Sequence, residues 1–347
     1  CLLEDLHAAE ADLRAAIALL QPQRLEFDLA KAELLLTVLL HQQHLPEARV
    51  LWQETATRIV QGGFAFLIDQ ERQLAYPLIN DGLKSSDARV VEASNTLMEY
   101  LQRAQPMPLE IKTMGGWHIQ CGEHQIDDTT LKTRRAGELL GLLLIAPGRS
   151  LSHEQISESL WPSKNPSSAQ ALLHQASSAL RRALEPDLPE KFPSRYLRVE
   201  EGRIALVLPP GSELDYELFE RYIKQANWES ALAIYQGDFL PEYRYADWCA
   251  AQREWLRQDY QIALLMMARR WLAEDRFRDA LEACHKVLAI EPWQEEAVLL
   301  GMQAFIGIGN IAGALRLYQT LEKTLQEELG VKPQAELQAY YQTLLNK

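Results

Sequence analysis

Residues 167–184 read SSAQALLHQASSALRRAL, and their pattern indicates the fold of the middle of the chain. Its apolar residues recur at the spacing of an amphipathic helix, and one face carries Leu173, Ser177, Leu180 and Leu184. Another face carries amide, imidazole, hydroxyl and guanidinium groups, on Gln170, His174, Ser178 and Arg182. Such groups suit hydrogen bonds to base edges in the major groove. The stretch is therefore predicted to be a recognition helix, with Gln175 and Arg181 as further candidates for base contact.

The sequence on both sides of this helix predicts a helix-turn-helix followed by a hairpin. Two shorter helices are expected at residues 134–145 and 153–160, because Pro147-Gly148 and Trp161-Pro162 interrupt the helical pattern. Two strands are expected at residues 196–199 and 203–208, on either side of the turn Glu201-Gly202. Three helices and then a hairpin are the order of a winged helix.

A small antiparallel sheet is predicted before these helices. Pro106 and Pro108 end a helical region, and three short strands are expected at residues 109–112, 117–121 and 125–126. The sheet, the three helices and the hairpin together define a predicted winged-helix domain at residues 109–208.

The rest of the chain is predicted to be helical repeats. Ala280 and Ala314 are 34 residues apart in similar sequence contexts, which is the period of tetratricopeptide repeats. Ala48 and Ala231 lie in similar contexts. The predicted domains are a repeat segment at 1–105, the winged helix at 109–208 and a repeat segment at 212–347, so the fold class is mainly α with a small β component. Five tryptophans are expected in the repeat core: Trp228, Trp248, Trp255, Trp271 and Trp293.

Basic residues around the recognition helix are candidates for contact with DNA phosphates. They are Lys132, Arg134, Arg135, Lys164, Arg195, Arg198 and Arg203. The net charge of -13 and the wing carboxylates of Glu200 and Glu201 predict modest non-specific affinity.

Several other classes of protein are disfavoured. The 4 cysteines are far apart, so the sequence suggests neither a disulfide framework nor a zinc site, and we expect no cofactor. No apolar run is long enough for a membrane span, and a reducing cytoplasm is the expected location. His153-Glu154 begins like a zinc-protease helix, but Ser157 stands where the second metal ligand would be. No nucleophile stands beside a convincing base either, so an enzyme is not expected.

The chain resembles the Streptomyces antibiotic regulatory proteins over about residues 109–345. The OmpR-type winged helix of that family is similar to MGGW at 114–117, LWP at 160–162 and LRRAL at 180–184. The family's bacterial transcriptional activation domain is similar to ALAIYQGDFLP at 231–241, REWL at 253–256 and ELGVKP at 328–333. Many relatives have an arginine where this chain has Ala179, and an aliphatic residue where it has Ser177.

The resemblance implies a cytoplasmic activator that binds direct repeats in promoters as a homodimer and engages RNA polymerase. It also implies base contacts from the recognition helix and minor-groove or phosphate contacts from the wing. The first hundred residues are similar to the repeats of large signal-transduction ATPases. In those proteins a nucleotide-binding domain precedes the repeats. This chain contains no phosphate-binding loop of the Gly-x-x-x-x-Gly-Lys type, so if a longer protein has that domain, we expect it upstream of Cys1.

The main alternative is a protein-interaction scaffold whose winged helix no longer binds double-stranded DNA. The acidic charge, the Ala179 departure and the wing carboxylates favour that alternative.

Overall fold

A computed structural model describes residues 2–103, 106–122, 124–126, 129, 131, 135–186 and 194–345. The chain is mostly helical with two small sheets, which confirms the predicted fold class. It packs into two units. Unit 1 comprises residues 1–107 and 130–210, and unit 2 comprises residues 108–129 and 211–347.

Unit 1 begins with antiparallel helical repeats. Their helices are α1 (Leu2–Leu20), α2 (Glu26–Gln42), α3 (Glu47–Gly62), α4 (Phe66–Gln70), α5 (Arg72–Gly82) and α6 (Ala88–Arg103). Ala48 is 2% exposed and packs against Leu36 and Leu40, so its small side chain lets α3 approach α2 closely. This contact confirms the helical packing predicted around Ala48.

Three helices of unit 1 form the predicted helix-turn-helix. They are α7 (Ala136–Ile145), α8 (His153–Leu160) and α9 (Pro166–Leu184). Ser152 and Gln155 form a capping box at the start of α8. The side chain of Asn165 accepts from the Ser168 N–H at 2.9 Å and caps α9, which begins one residue earlier than predicted.

A three-stranded sheet completes the winged helix-turn-helix in unit 1. It consists of β4 (Ser150–Ser152), β5 (Leu197–Glu200) and β6 (Arg203–Leu206), in the order β4-β6-β5. The hairpin turn is the predicted one, because Glu201 and Gly202 both have positive φ, at 47° and 74°. The sequence did not predict β4, a three-residue strand that pairs antiparallel with β6.

Unit 2 contains the other sheet. Its strands are β1 (Leu109–Lys112), β2 (His118–Cys121), β3 (His124–Ile126) and β7 (Glu213–Leu214), in the order β3-β2-β1-β7. The first three were predicted, whereas β7 was not, and it pairs parallel with β1. This sheet therefore packs in the same unit as the C-terminal helices. The division into three domains at 1–105, 109–208 and 212–347 stays a proposal.

The helices of unit 2 form the predicted repeats. They are α10 (Asp215–Lys224), α11 (Trp228–Ile234), α12 (Ala250–Ala273), α13 (Phe277–Ile290), α14 (Glu295–Gly307), α15 (Ile311–Thr324) and α16 (Ala335–Leu345). Ala231, Ala280 and Ala314 are each 0% exposed, as close helix packing requires. Asp275 and Gly309 lie two residues before α13 and α15, and both have positive φ, at 56° and 77°. The turn that precedes the helix is therefore similar in the two repeats.

The prediction for the tryptophans was wrong at two positions. Trp255 is 66% exposed and Trp293 is 43% exposed, whereas Trp228, Trp248 and Trp271 are partly buried. The reason is the helix face, since α12 buries Leu256 and Leu264 and points Trp255 to the other side. Within the described ranges, no helix is long and apolar enough to cross a membrane.

Candidate nucleic-acid interface

The recognition helix α9 has one buried and one exposed face. The buried face carries leucines and alanines: Ala169, Leu173, Ala176, Ala179, Leu180, Ala183 and Leu184. Five of the six candidates for base contact are exposed, namely Gln170, His174, Gln175, Ser178 and Arg182, and Arg181 is partly buried. The exposed row extends over more than three turns of α9, which is long enough to follow a major groove. Contact of these side chains with DNA stays a prediction.

The two positions that depart from the resemblance have simple structural roles. Ala179 is 6% exposed and lies on the buried face, so the exposed row does not include position 179. Ser177 is partly buried, and its hydroxyl donates to the His174 carbonyl at 3.2 Å. Neither position leaves an unpaired polar group in the core.

The turn between α8 and α9 is fixed by buried and bonded groups. Trp161, at the start of the turn, is 7% exposed. The guanidinium of Arg135 donates to the Leu160 carbonyl at 2.9 Å and pairs with Glu138 at 3.0 Å. Arg135 therefore provides a hydrogen bond to a carbonyl at the C-terminal end of α8. Lys164, which precedes the cap of α9, is exposed.

Two wing arginines are at the surface. The guanidinium of Arg203 donates to the carbonyl of Ser150 at 3.1 Å and to its hydroxyl at 3.3 Å, which links β6 to β4. Arg198 and Glu200 form an exposed pair at 3.7 Å. Both arginines can reach solvent, so both remain candidates for phosphate contact. Lys132 and Arg134 lie outside the described residues.

Arg195 lies in an ion network within unit 1. Its Nε donates to Glu185 at 3.2 Å and its Nη1 donates to Asp69 at 3.5 Å. Asp69 also accepts from Arg72 at 3.3 Å. Burial, together with the positive charge of Arg195, lowers the pKa of the Arg72 guanidinium to about 10. The network connects the repeats to the residue that follows α9 and to the start of the wing.

Sequence reasoning missed Glu185 and Asp69 as partners in this network. Glu185 is 6% exposed although it directly follows an amphipathic helix, and Asp69 is 126 residues away from Arg195 in the chain. A carboxylate beside a helix end is a weak signal, because such residues are usually solvated. The pairing becomes visible only when the repeats are packed against the helix-turn-helix.

Acidic side chains lie near the recognition helix. Glu154 and Glu158 are exposed on α8, and Glu200 and Glu201 are exposed in the wing. These carboxylates repel phosphates and restrict favourable approach to the basic positions. The described residues contain no cluster of side chains that could hold a metal ion.

A protein-family model matches the C-terminal part of the chain. The bacterial transcriptional activator domain matches residues 218–345, which begin in α10 and end with α16. The matched residues belong entirely to unit 2.

Two curated proteins are similar to the chain. Transcriptional regulatory protein MoaR1 of Mycobacterium tuberculosis is 26% identical over 243 residues, which cover 62% of this chain and 74% of MoaR1. Regulatory protein AfsR of Streptomyces coelicolor is 26% identical over 217 residues, which cover 60% of this chain and 21% of AfsR. The chain therefore corresponds to most of MoaR1 but to only about a fifth of AfsR.

A solved structure shares the fold. Mycobacterium tuberculosis EmbR, in complex with a low affinity phosphopeptide, superposes with a TM-score of 0.55 at 19% identity. The match covers 69% of this chain and 65% of that chain. The match shows only that the two folds are similar.

Proposed function

We propose that this chain, a transcriptional regulator of the Streptomyces antibiotic regulatory protein type with a bacterial transcriptional activator domain, binds specific promoter DNA through α9. The exposed row of Gln170, His174, Ser178 and Arg182 supports this proposal most directly. A helix that presents amide, imidazole and guanidinium groups from a helix-turn-helix can insert them into the major groove.

The wing holds the register of α9 on the duplex in this proposal. Arg198 and Arg203 approach the phosphates beside the groove, and Lys164 approaches them at the N-terminal end of α9. Arg195 acts mainly within the protein, because Glu185 and Asp69 bind its guanidinium.

The activator domain contacts other proteins in this proposal. It engages RNA polymerase and positions a second copy of the chain on a neighbouring direct repeat. The exposed side chains of Trp255, Ile262 and Met266 lie at helical spacing on α12 and support a role for this helix in protein contact. We further propose that the protein acts in the cytoplasm, catalyses no reaction, needs no cofactor and responds to an upstream nucleotide-binding domain.

The test compares variants on a DNA fragment that the chain retains from genomic DNA. Arg182→Ala and His174→Ala should each weaken binding by roughly tenfold to a hundredfold, because one good base contact contributes about 1–3 kcal/mol of discrimination. Lys323→Ala removes an exposed charge from α15 and is the control, with no expected change. Equal binding by all three variants would contradict a base-reading role for α9.

A scaffold that binds protein instead of DNA is the second candidate. The net charge of -13 and the exposed Glu200 and Glu201 in the wing favour it. A scaffold predicts that no DNA fragment is enriched, and that Arg182→Ala affects weak, salt-sensitive binding no more than Lys323→Ala does. The same variant panel therefore separates the two candidates.

A further inference from the structure

A pocket in the N-terminal repeats lies apart from the candidate nucleic-acid interface. It has a volume of 380 Å³ and opens between α3, the last turn of α5 and the first turn of α6. Sites for small molecules range over roughly 300–1,000 Å³, so this pocket suits a metabolite better than a folded partner. Its apolar wall consists of Ala48, Leu78 and Val90, each 2% exposed.

Two buried polar groups beside this pocket have no hydrogen-bond partner among the described residues. One is the indole Nε1 of Trp52, a lining residue that is 3% exposed. The other is the hydroxyl of Ser94, which is 0% exposed. Buried polar groups are almost always hydrogen-bonded, so these two call for an acceptor from outside the described residues.

Gly82 brings these two groups together. A Cβ at this position would lie 2.2 Å from Ser94 Oγ and 2.6 Å from Trp52 Nε1. Only glycine therefore allows α3 and α6 to place both polar atoms against the backbone of α5. Gly82 and Trp52 line the pocket, whereas Ser94 does not and lies beside Gly82, behind the pocket wall.

The charged residues of the pocket are mainly cationic. Arg49 lies three residues before Trp52 on α3, so the two side chains share a helix face. Arg49 is exposed and forms no ion pair with any residue that the structure describes. Lys84 is also exposed and pairs with Asp81 at 3.7 Å. Two cations thus stand against Asp81, the one carboxylate among the lining residues.

We propose that the pocket binds a small organic monocarboxylate. Its apolar body packs on Ala48, Leu78 and Val90. Its carboxylate accepts a hydrogen bond from the Trp52 indole, with the Ser94 hydroxyl beside Gly82 as the second donor, in the positive field of Arg49 and Lys84. A charged acceptor is the ligand group that best satisfies two unpaired donors next to cations. The site would make the N-terminal repeats a sensor of metabolites, independent of how α9 reads DNA.

The experiment follows the Trp52 indole N–H of the full chain by nuclear magnetic resonance, assigned with Trp52→Phe. The probes are phenylacetate, indole-3-acetate and octanoate, each titrated to about 10 mM, a range that detects millimolar dissociation constants. At least one probe should shift the Trp52 signal in a saturable manner. Phenylacetamide, the neutral counterpart of phenylacetate, should bind about tenfold more weakly if the charge is recognised.

Three variants test the assignment of the residues. Arg49→Ala should weaken binding of the best probe by about tenfold, and Ser94→Ala should weaken it severalfold without loss of stability, since it removes an unpaired hydroxyl. Lys31→Ala makes the same charge change on α2 outside the pocket and should have no effect. The proposal is overturned if no probe shifts the Trp52 signal, if Arg49→Ala and Lys31→Ala bind equally well, or if the neutral amide binds as tightly as the acid.

Discussion

Glu185 accepts hydrogen bonds from both the backbone N–H and the guanidinium of Arg195, at 3.0 Å and 3.2 Å. Glu185 directly follows the recognition helix α9, and Arg195 lies two residues before β5 of the wing. The carboxylate also accepts from the Ser194 hydroxyl at 2.5 Å. One buried carboxylate therefore joins the two parts of the proposed DNA-binding surface, and Arg195 extends the connection to Asp69 in the repeats.

Glu185→Gln should loosen the wing from α9. The amide keeps the shape of the side chain but removes the negative charge. The partly buried guanidinium of Arg195 then lacks the charge of its partner at position 185. We expect a loss of about 2 kcal/mol in the free energy of unfolding, measured in urea. Glu200→Gln, in the exposed pair with Arg198, is the control and should change stability by less than about 0.5 kcal/mol. An equal loss in the free energy of unfolding for the two variants would contradict the structural role of Glu185.

Asp215→Asn should destabilise unit 2. The carboxylate of Asp215 is 9% exposed and accepts from the N–H and hydroxyl of Thr113, both at 2.7 Å, and from the Met114 N–H at 2.8 Å. An asparagine places an NH2 group where one of the two carboxylate oxygens accepts from these donors, so we expect a loss of about 3 kcal/mol in urea unfolding. The matched control is Glu213→Gln, an exposed change two residues earlier. Unchanged stability of Asp215→Asn would show that β1 does not depend on this contact.

The contribution of Glu33 to the free energy of unfolding of the repeats should fall as the pH rises. Burial raises the pKa of the Glu33 carboxyl above 4.5, although Arg58 donates to it at 3.0 Å and opposes the shift. The folded state thus binds this proton more tightly than the unfolded chain. The stabilising contribution is full below about pH 4.5 and is lost as the pH rises through the raised pKa.

The corresponding measurement is urea unfolding of the wild type and Glu33→Gln between about pH 4.5 and pH 7. The stability of Glu33→Gln relative to the wild type should rise over this range. Glu99→Gln, on the exposed surface of α6, should show no such trend. A constant difference, or one of opposite sign, would argue against burial as the dominant effect at Glu33.

Cys284 should resist alkylation in the folded protein. It is 0% exposed, and burial raises the pKa of its thiol to about 12, so little nucleophilic thiolate forms. Native iodoacetamide labelling, followed by mass spectrometry, should leave Cys284 unmodified and label it only after denaturation. Cys121, which is partly buried, provides the internal comparison. Rapid native labelling of Cys284 would mean that α13 and α14 are not packed as described.

The sequence predicted elements with strong local signals and missed elements that depend on distant partners. Helix α8 was predicted with the bounds that the structure has, since Ser152 and Gln155 cap it and Trp161-Pro162 ends it. Strands β4 and β7 have three and two residues, too few for a visible alternation, and exist because β6 and β1 pair with them. Their positions follow from tertiary packing.

The candidate site shows the same division. Periodicity alone separated the buried from the exposed face of α9, because both faces repeat within a single helix. The inward role of Arg195 depends on Glu185 and Asp69, which no local pattern connects to it. Likewise, the exposure of Trp255 follows from which face α12 buries, and a tryptophan by itself does not indicate that face.

Capture of sheared genomic DNA by the purified chain would measure sequence-specific DNA binding through α9. The wild type and the double variant Arg182→Ala, His174→Ala would each capture fragments at low and at near-physiological salt. The retained fragments would then be sequenced. We expect the wild type to enrich a few fragments with shared, spaced repeats that persist at the higher salt, and the double variant to lose them. Uniform retention that disappears with salt, or an enrichment that the double variant preserves, would contradict this expectation.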